Sequence, residues 1–160
     1  MTGLRDNLAR RPEGGDRDQA KAIFAGECDI ALGNTYYVGK MATNDKEPEQ
    51  KDWANAIKVI MPTFDNGKTH VNISGVALAK NAPNRENAVK LMNFLSSDEA
   101  QKIYADLNYE YPLEPGIETS DLVASFGELN PDDISLSDIA GHRGEASRIV
   151  DEVAYDSGPQ

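Results

Sequence analysis

Apolar residues recur at helical spacing in several stretches of this chain. Between residues 16 and 25, Ala20, Ile23 and Phe24 share one side while Arg17, Asp18 and Lys21 can face water, predicting a helix capped by Asp16 and ended at Gly26. Over 85–95 the stripe Ala88, Leu91, Met92 and Leu95 predicts a core-facing helix capped by Asn84. A further helix starts at Ser97 and Asp98 with Ala100, Ile103, Tyr104 and Leu107 inward, and a terminal helix is capped by Ser135 or Ser137. Its apolar face carries Ile139, Ala146, Ile149, Val150 and Val153. Shorter helical pieces are read before the Pro12 and Gly14-Gly15 stop, through Trp53 and Ala56, and around Leu122, Val123 and Phe126.

Other runs read as extended. Residues 28–32 form a short buried strand with Cys28 as a small hydrophobe, 58–62 a strand ended by Pro62, and 69–79 a longer extended segment. Residues 63–67 are a turn by composition, and Tyr109 and Tyr111 alternate about Glu110 in a short edge strand stopped at Pro112. Residues 156–160 read as a frayed tail. A helix, a strand and then a ligand-bearing turn is the order of an α/β sheet, whose ligands sit beyond the carboxyl ends of the strands.

That turn holds the candidate chemistry. The run 29–40 is a short apolar stretch, a Gly33-Asn34 turn, and then Tyr36 and Tyr37 where a helix should begin. A helix N-terminus offers unpaired N–H groups and a positive dipole end, which favour an anion. A phenol ordinarily titrates at ~10 and stays neutral, but a hard, highly charged cation such as Fe³⁺ prefers oxygen ligands and displaces that proton. The alternative is that the tyrosine pair merely packs an element end.

The stretch 26–40, together with Asn-Leu-Ala-Arg-Arg-Pro-Glu-Gly-Gly-Asp at 7–16, His-Val-Asn-Ile-Ser-Gly-Val-Ala-Leu at 70–78 and Asn-Tyr-Glu-Tyr-Pro at 108–112, closely resembles the ferric-iron-binding periplasmic proteins of bacterial ABC importers. The resemblance runs along the whole chain but corresponds to the C-terminal half of a usual family member. It implies an α/β, type II periplasmic-binding-protein-like fold, present in part. Residues 1–68 would begin the tyrosine-bearing lobe, 69–117 cross to the other lobe, and 118–160 return. It implies that Tyr36 and Tyr37 ligate Fe³⁺ as phenolates, leaving Tyr109 and Tyr111 structural. Asn34 matches the position whose amide helps hold a synergistic anion, phosphate or carbonate; its other reading is a turn and cap residue. The implied partners are the ABC permease and an N-terminal half of the same protein carrying the remaining iron ligands. Exposed sheet edges would also favour a homo-oligomer. The implied location is the periplasm, with any export signal upstream.

Composition narrows the alternatives. A net charge of −11 over 160 residues disfavours nucleic acid, which needs clustered Lys and Arg. The lone Cys28 forms no internal disulfide, and no apolar run has the length of a membrane span. Enzyme readings fare poorly: Cys28 lies in an apolar run without an electropositive neighbour, no nucleophile elbow or phosphate loop occurs, and two distant histidines lack zinc spacing. The remaining readings are the same scaffold holding another small ligand through the tyrosines, or a truncated structural module that binds no metal.

Overall fold

The computed structural model describes residues 1–159. Its helices are α1 (Thr2–Asp6), α2 (Asp16–Phe24), α3 (Thr35–Ala42), α4 (Glu49–Asn55), α5 (Arg85–Leu95), α6 (Asp98–Ile103), α7 (Asp121–Ser125) and α8 (Leu136–Glu152). A π-helical turn (Tyr104–Asn108) continues α6, and a 3₁₀ turn (Tyr155–Ser157) follows α8.

The best-packed part is the trio α2, α3 and α4, where Ala20, Met41 and Ala54 are buried with Ala42, Trp53 and Ile57 packed against them. Small residues on α2 and α4 let Met41, 1 % exposed, enter between the helices. Helix α2 ends as a Schellman motif: Glu27 N–H reaches Ala22 O at 2.9 Å and Gly26 N–H reaches Ile23 O at 3.0 Å. That geometry requires the positive φ of 73° at Gly26, as the predicted stop implies. Its start differs from expectation: Gly15 is the N-cap, and the Asp18 carboxylate accepts from the Gly15 N–H at 2.7 Å. Asp16 lies inside the first turn, its side chain committed elsewhere.

The extended segments fall where the pattern expects them, but they are unpaired. Among the described residues the sole β contact is an isolated parallel bridge between Thr69 and Pro131. Among the described residues, no backbone N–H or C=O of 28–33, 58–63 or 70–78 hydrogen-bonds another backbone group. Ile30 is 84 % exposed and Leu32 73 %, so the run read as a buried strand is an open one. Alternation specifies an extended backbone, whereas burial needs a neighbouring strand.

Helices α5 and α8 also correct their expected role as core. Neither buries any residue fully: Leu91 on α5 is exposed, and Ile139 and Leu136 on α8 are open to solvent. In the α6 region the inward pattern holds for Ala100 but not for Ile103 and Leu107, which are exposed; Ala105 is buried instead, because the π-helical turn rotates the face. Val123 and Phe126 are buried as predicted, and Ser120, Ser97 and Ser135 supply side-chain caps to α7, α6 and α8.

Residues 109–112 are not a strand. Tyr109 adopts a left-handed φ of 60° at the end of the π-helical turn, which throws its ring onto α3. The tail also departs from expectation: Gly158 is buried beside the Arg11 backbone, and Arg11 Nε donates to Asp156 O at 2.9 Å. Arg5 Nη1 donates to Val153 O at 2.9 Å, so both ends of the described chain are tied together. Gln160, the last residue of the expected frayed tail, lies outside the described residues.

Candidate functional site

Helix α3 begins at the tyrosine pair as the sequence predicts. Asn34 precedes it in an extended conformation, its carbonyl accepting from Tyr37 N–H at 3.2 Å, and its side chain does not cap the helix. The amide is held from outside. Asp16 Oδ1 accepts from the Asn34 backbone N–H at 2.6 Å and from Nδ2 at 3.1 Å, while Asn34 Oδ1 accepts from Asn72 Nδ2 at 3.4 Å. One carboxylate at the start of α2 therefore fixes the turn that starts α3.

Tyr36 and Tyr37 are half-buried, with ring centroids 4.4 Å apart and planes inclined by 34°. Neighbouring residues at a helix start ordinarily diverge, yet these phenols lie side by side. A cation covers each face: Arg17 lies 5.4 Å from the Tyr37 centroid, and Lys40 Nζ lies 5.1 Å from that of Tyr36. The Tyr36 phenol is pushed up to about 12, first by its hydrogen bond with Tyr37, then by burial and the negative charges of Tyr37, Asp16 and Glu110. Without a metal, the Tyr36 phenol is protonated at neutral pH.

The other tyrosines of the region have structural work. The Tyr109 hydroxyl bonds that of Thr43 at 2.8 Å, and its ring lies where a Cβ on Gly39 would come within 2.3 Å of Cγ. Tyr111 donates to Gly127 O at 2.8 Å. Their assignment as structural agrees with these partners, though as a turn and not a strand. Glu110 is carried toward Tyr36 by the same turn, and its carboxylate accepts from Ser74 Oγ at 2.9 Å and from Asn108 Nδ2.

Asp16, Arg17, Lys40 and Glu110 were not legible as site residues. Arg17 reads as the wet face of a helix, Asp16 as that helix's cap, and Glu110 as the residue between the alternating tyrosines of an edge strand. The packing of α2 and the π-helical turn on α3 brings Asp16, Arg17 and Glu110 to the tyrosines, while Lys40 lies one turn beyond Tyr36 on α3 itself. Cys28 is half-buried, and His70 is paired with Asp132 through Nδ1 at 2.7 Å. Among the described residues no group of three or more His, Cys, Asp or Glu could hold a metal. The open groove between His70 and α8, lined by Ile134, Ile139 and Ala146, does not include the tyrosines. No helix among the described residues is long and apolar enough to cross a membrane.

Comparison with known proteins bears on this geometry. Residues 10–102 match the family model described as bacterial extracellular solute-binding protein. Iron uptake protein A1 of Synechocystis sp. is 42% identical over 153 residues, which cover 96% of this chain and 42% of that protein. The apo ferric ion-binding protein A of Pasteurella haemolytica superposes with a TM-score of 0.89 at 50% identity, covering 97% of this chain and 48% of that one. A Trichodesmium protein solved with iron and citrate ligands superposes at 0.87 with 39% identity, again over 48% of its length. The chain thus spans about half the length of the relatives it matches, and along that half it resembles ferric-binding proteins in sequence and in fold. The match over 10–102, which includes the tyrosine pair and the segments that hold it, identifies the chain as a member of the bacterial extracellular solute-binding protein family.

Proposed function

We propose that this chain takes ferric iron as cargo through the phenolates of Tyr36 and Tyr37, for delivery from the periplasm to the permease of an ABC importer. The observation that carries the reading is the tyrosine pair itself: two phenols side by side at a helix N-terminus, rings 4.4 Å apart. The names and ligands of the relatives support it, since they include an iron uptake protein and a protein solved with iron and citrate. The role is one of binding, not catalysis. Fe³⁺ displaces both phenolic protons and neutralises the repulsion between the resulting phenolates. Asn34, at the turn before α3, helps hold a small synergistic anion such as phosphate or carbonate, and its amide is oriented for this by Asp16.

Two phenolates do not complete an octahedral shell, and the rest of it comes from a polypeptide equivalent to the half of the relatives that this chain does not span. The open backbone of 28–33, 58–63 and 70–78 supports such a partner, because unpaired strands with exposed Ile30, Leu32, Ile60 and Ile73 are templates for further strands. In this type II arrangement 1–68 and 118–160 belong to the tyrosine-bearing lobe and 69–117 to the other. Iron is enclosed by lobe closure and released by reopening at the permease. Without its complement, the chain self-associates through the same edges.

The test is a titration with ferric nitrilotriacetate, following the visible phenolate-to-iron band in the wild type and in the Tyr36→Phe/Tyr37→Phe double variant. A band that disappears in the double variant is expected. A wild-type chain that stays colourless even with the complementary half supplied overturns the reading, leaving a scaffold for another ligand or a module without metal.

A further inference from the structure

The segment 70–74 is tied down at every second residue, each time to a different part of the chain. His70 Nδ1 meets Asp132 Oδ2 at 2.7 Å, Asn72 Nδ2 donates to Asn34 Oδ1 at 3.4 Å, and Ser74 Oγ donates to Glu110 Oε2 at 2.9 Å. In an extended chain residues i, i+2 and i+4 share one face, so these three side chains form a single polar edge. The edge leads from Asp132 to both sides of the tyrosine pair, since Asn34 precedes α3 and Glu110 acts on Tyr36. Just before it the backbone itself is anchored: Thr69 N–H donates to Asn130 O at 2.8 Å, and Thr69 O accepts from Asp132 N–H at 2.9 Å.

The first of the three ties is also the one that can change charge. Histidine gains or loses its proton between about pH 5 and 8, whereas an amide and a hydroxyl stay neutral throughout. The Asp132 carboxylate is 7% exposed and the His70 imidazole 49%, so a nearly buried acceptor is held by an open, titratable donor. An imidazolium makes the stronger, charge-assisted form of that bond. Asp133 is paired with Lys68 at 3.2 Å and leaves Asp132 to His70, while His142 and Arg143 of α8 face the imidazole across the groove. The Asn72 tie is long and the Ser74 tie exposed, so the register of both depends on where His70 is anchored. We propose that His70 is a positioning residue of the tyrosine site: its protonation tightens the tie to Asp132 and, through Asn72 and Ser74, holds Asn34 and Glu110 in place. The consequence for iron rests on the proposed function. Acid competes for the phenolates, and the tightened edge offsets part of that loss by keeping the site assembled.

The experiment compares wild type, His70→Asn and Asn72→Ala in two measurements. Asparagine keeps a neutral donor near the position of Nδ1 but does not titrate. The first measurement follows the Asn34 side-chain amide resonances of the iron-free chain by nuclear magnetic resonance from about pH 5 to 8, alongside the His70 ring protons. In wild type the Asn34 amide is expected to shift with the midpoint of the His70 ring. That shift should vanish in His70→Asn, and in Asn72→Ala the ring should titrate without it. An Asn34 amide that ignores the His70 midpoint in wild type overturns the proposal. So does a shift that persists in His70→Asn, which would assign it to His142, or one that persists in Asn72→Ala. The second measurement is ferric affinity by competition with nitrilotriacetate at pH 6 and pH 8. The ratio of wild-type to His70→Asn affinity should be about twofold to fivefold larger at the lower pH, the scale of a partly exposed ion pair. A ratio equal at both values overturns the claimed effect on iron. A colourless wild type that keeps the amide coupling sinks the iron reading and leaves His70 as the positioning residue.

Discussion

Asp16 Oδ1 accepts two hydrogen bonds from Asn34, one from the backbone N–H at 2.6 Å and one from Nδ2 at 3.1 Å, and so ties the first turn of α2 to the residue that starts α3. Removing that carboxylate leaves a half-buried N–H without its acceptor. Asp16→Ala is expected to cost about 1–3 kcal/mol in urea unfolding, with Asp16→Asn milder because an amide oxygen still accepts. The Asn variant also removes a negative charge that raises the Tyr36 phenol. Its alkaline ultraviolet titration should therefore shift to lower pH.

The Tyr36 phenol titrates at about 12 in the folded chain against an ordinary 10.0. Folded protein thus keeps this proton where the unfolded chain has already lost it. Stability is untouched below the ordinary value and falls as pH rises from there through the raised value. Urea midpoints measured on both sides of pH 10 should show the loss, and Tyr36→Phe should flatten it. Midpoints that fall equally in the variant would assign the loss to other groups.

Under the proposed function, iron must displace both phenolic protons. Apparent ferric affinity, measured by competition with a fixed chelator and corrected for the chelator's own titration, should drop about tenfold per unit fall in pH for each proton released. Two protons are expected for the wild type and one for Tyr36→Phe. An affinity independent of pH would mean that the phenols do not ligate.

Gly39 is the point where α3 meets the Tyr109 ring. A Cβ there would come within 2.3 Å of Tyr109 Cγ and 2.6 Å of its Cβ, and neither is the far end of a flexible side chain. Gly39→Ala gains about 1 kcal/mol of helix propensity, but it forces Tyr109 off α3 and breaks its bond to Thr43. A net loss of about 1–3 kcal/mol in chemical denaturation is expected. In a Tyr109→Ala background the same change should be neutral or favourable, and a cost that persists there would exclude the ring as its cause.

Met41 fills the space among α2, α3 and α4 at 1 % exposure. Met41→Ala should cost about 2–5 kcal/mol, the range for opening a cavity of that kind. Because α3 carries both tyrosines, ferric colour should weaken in parallel. Full stability in thermal unfolding would show that the trio is not the core it forms here.

Much of the local organisation was readable before any packing was known. The Gly26 stop, the turn at 63–67, the serine caps and the start of α3 at the tyrosines depend on residues within a few positions of one another, where backbone sterics and nearby hydrogen bonds decide. The readings that changed all depended on distant partners. Asp16 looked like a cap because aspartate commonly is one, but Asn34 offered it two donors. Residues 28–32 looked buried because they are apolar, but no strand lies beside them among the described residues. Tyr109 to Pro112 alternated like a strand, but the left-handed Tyr109 at the end of the π-helical turn bends them away.

By itself, the sequence determined where most helices begin and end, that Tyr36 and Tyr37 stand together at a helix N-terminus, and that the chain carries a net charge of −11. These properties follow from local conformational preference and summed charge. Tertiary structure alone decided what else surrounds the phenols beyond Lys40, one helical turn from Tyr36: Arg17 over Tyr37, Asp16 behind Asn34, and Glu110 delivered by a π-helical turn. Those residues are distant along the chain or lie on faces that read as solvent. Only the docking of α2, α3 and the π-helical turn brings their charges close enough to act on one another, because electrostatic coupling depends on separation in space and not along the chain.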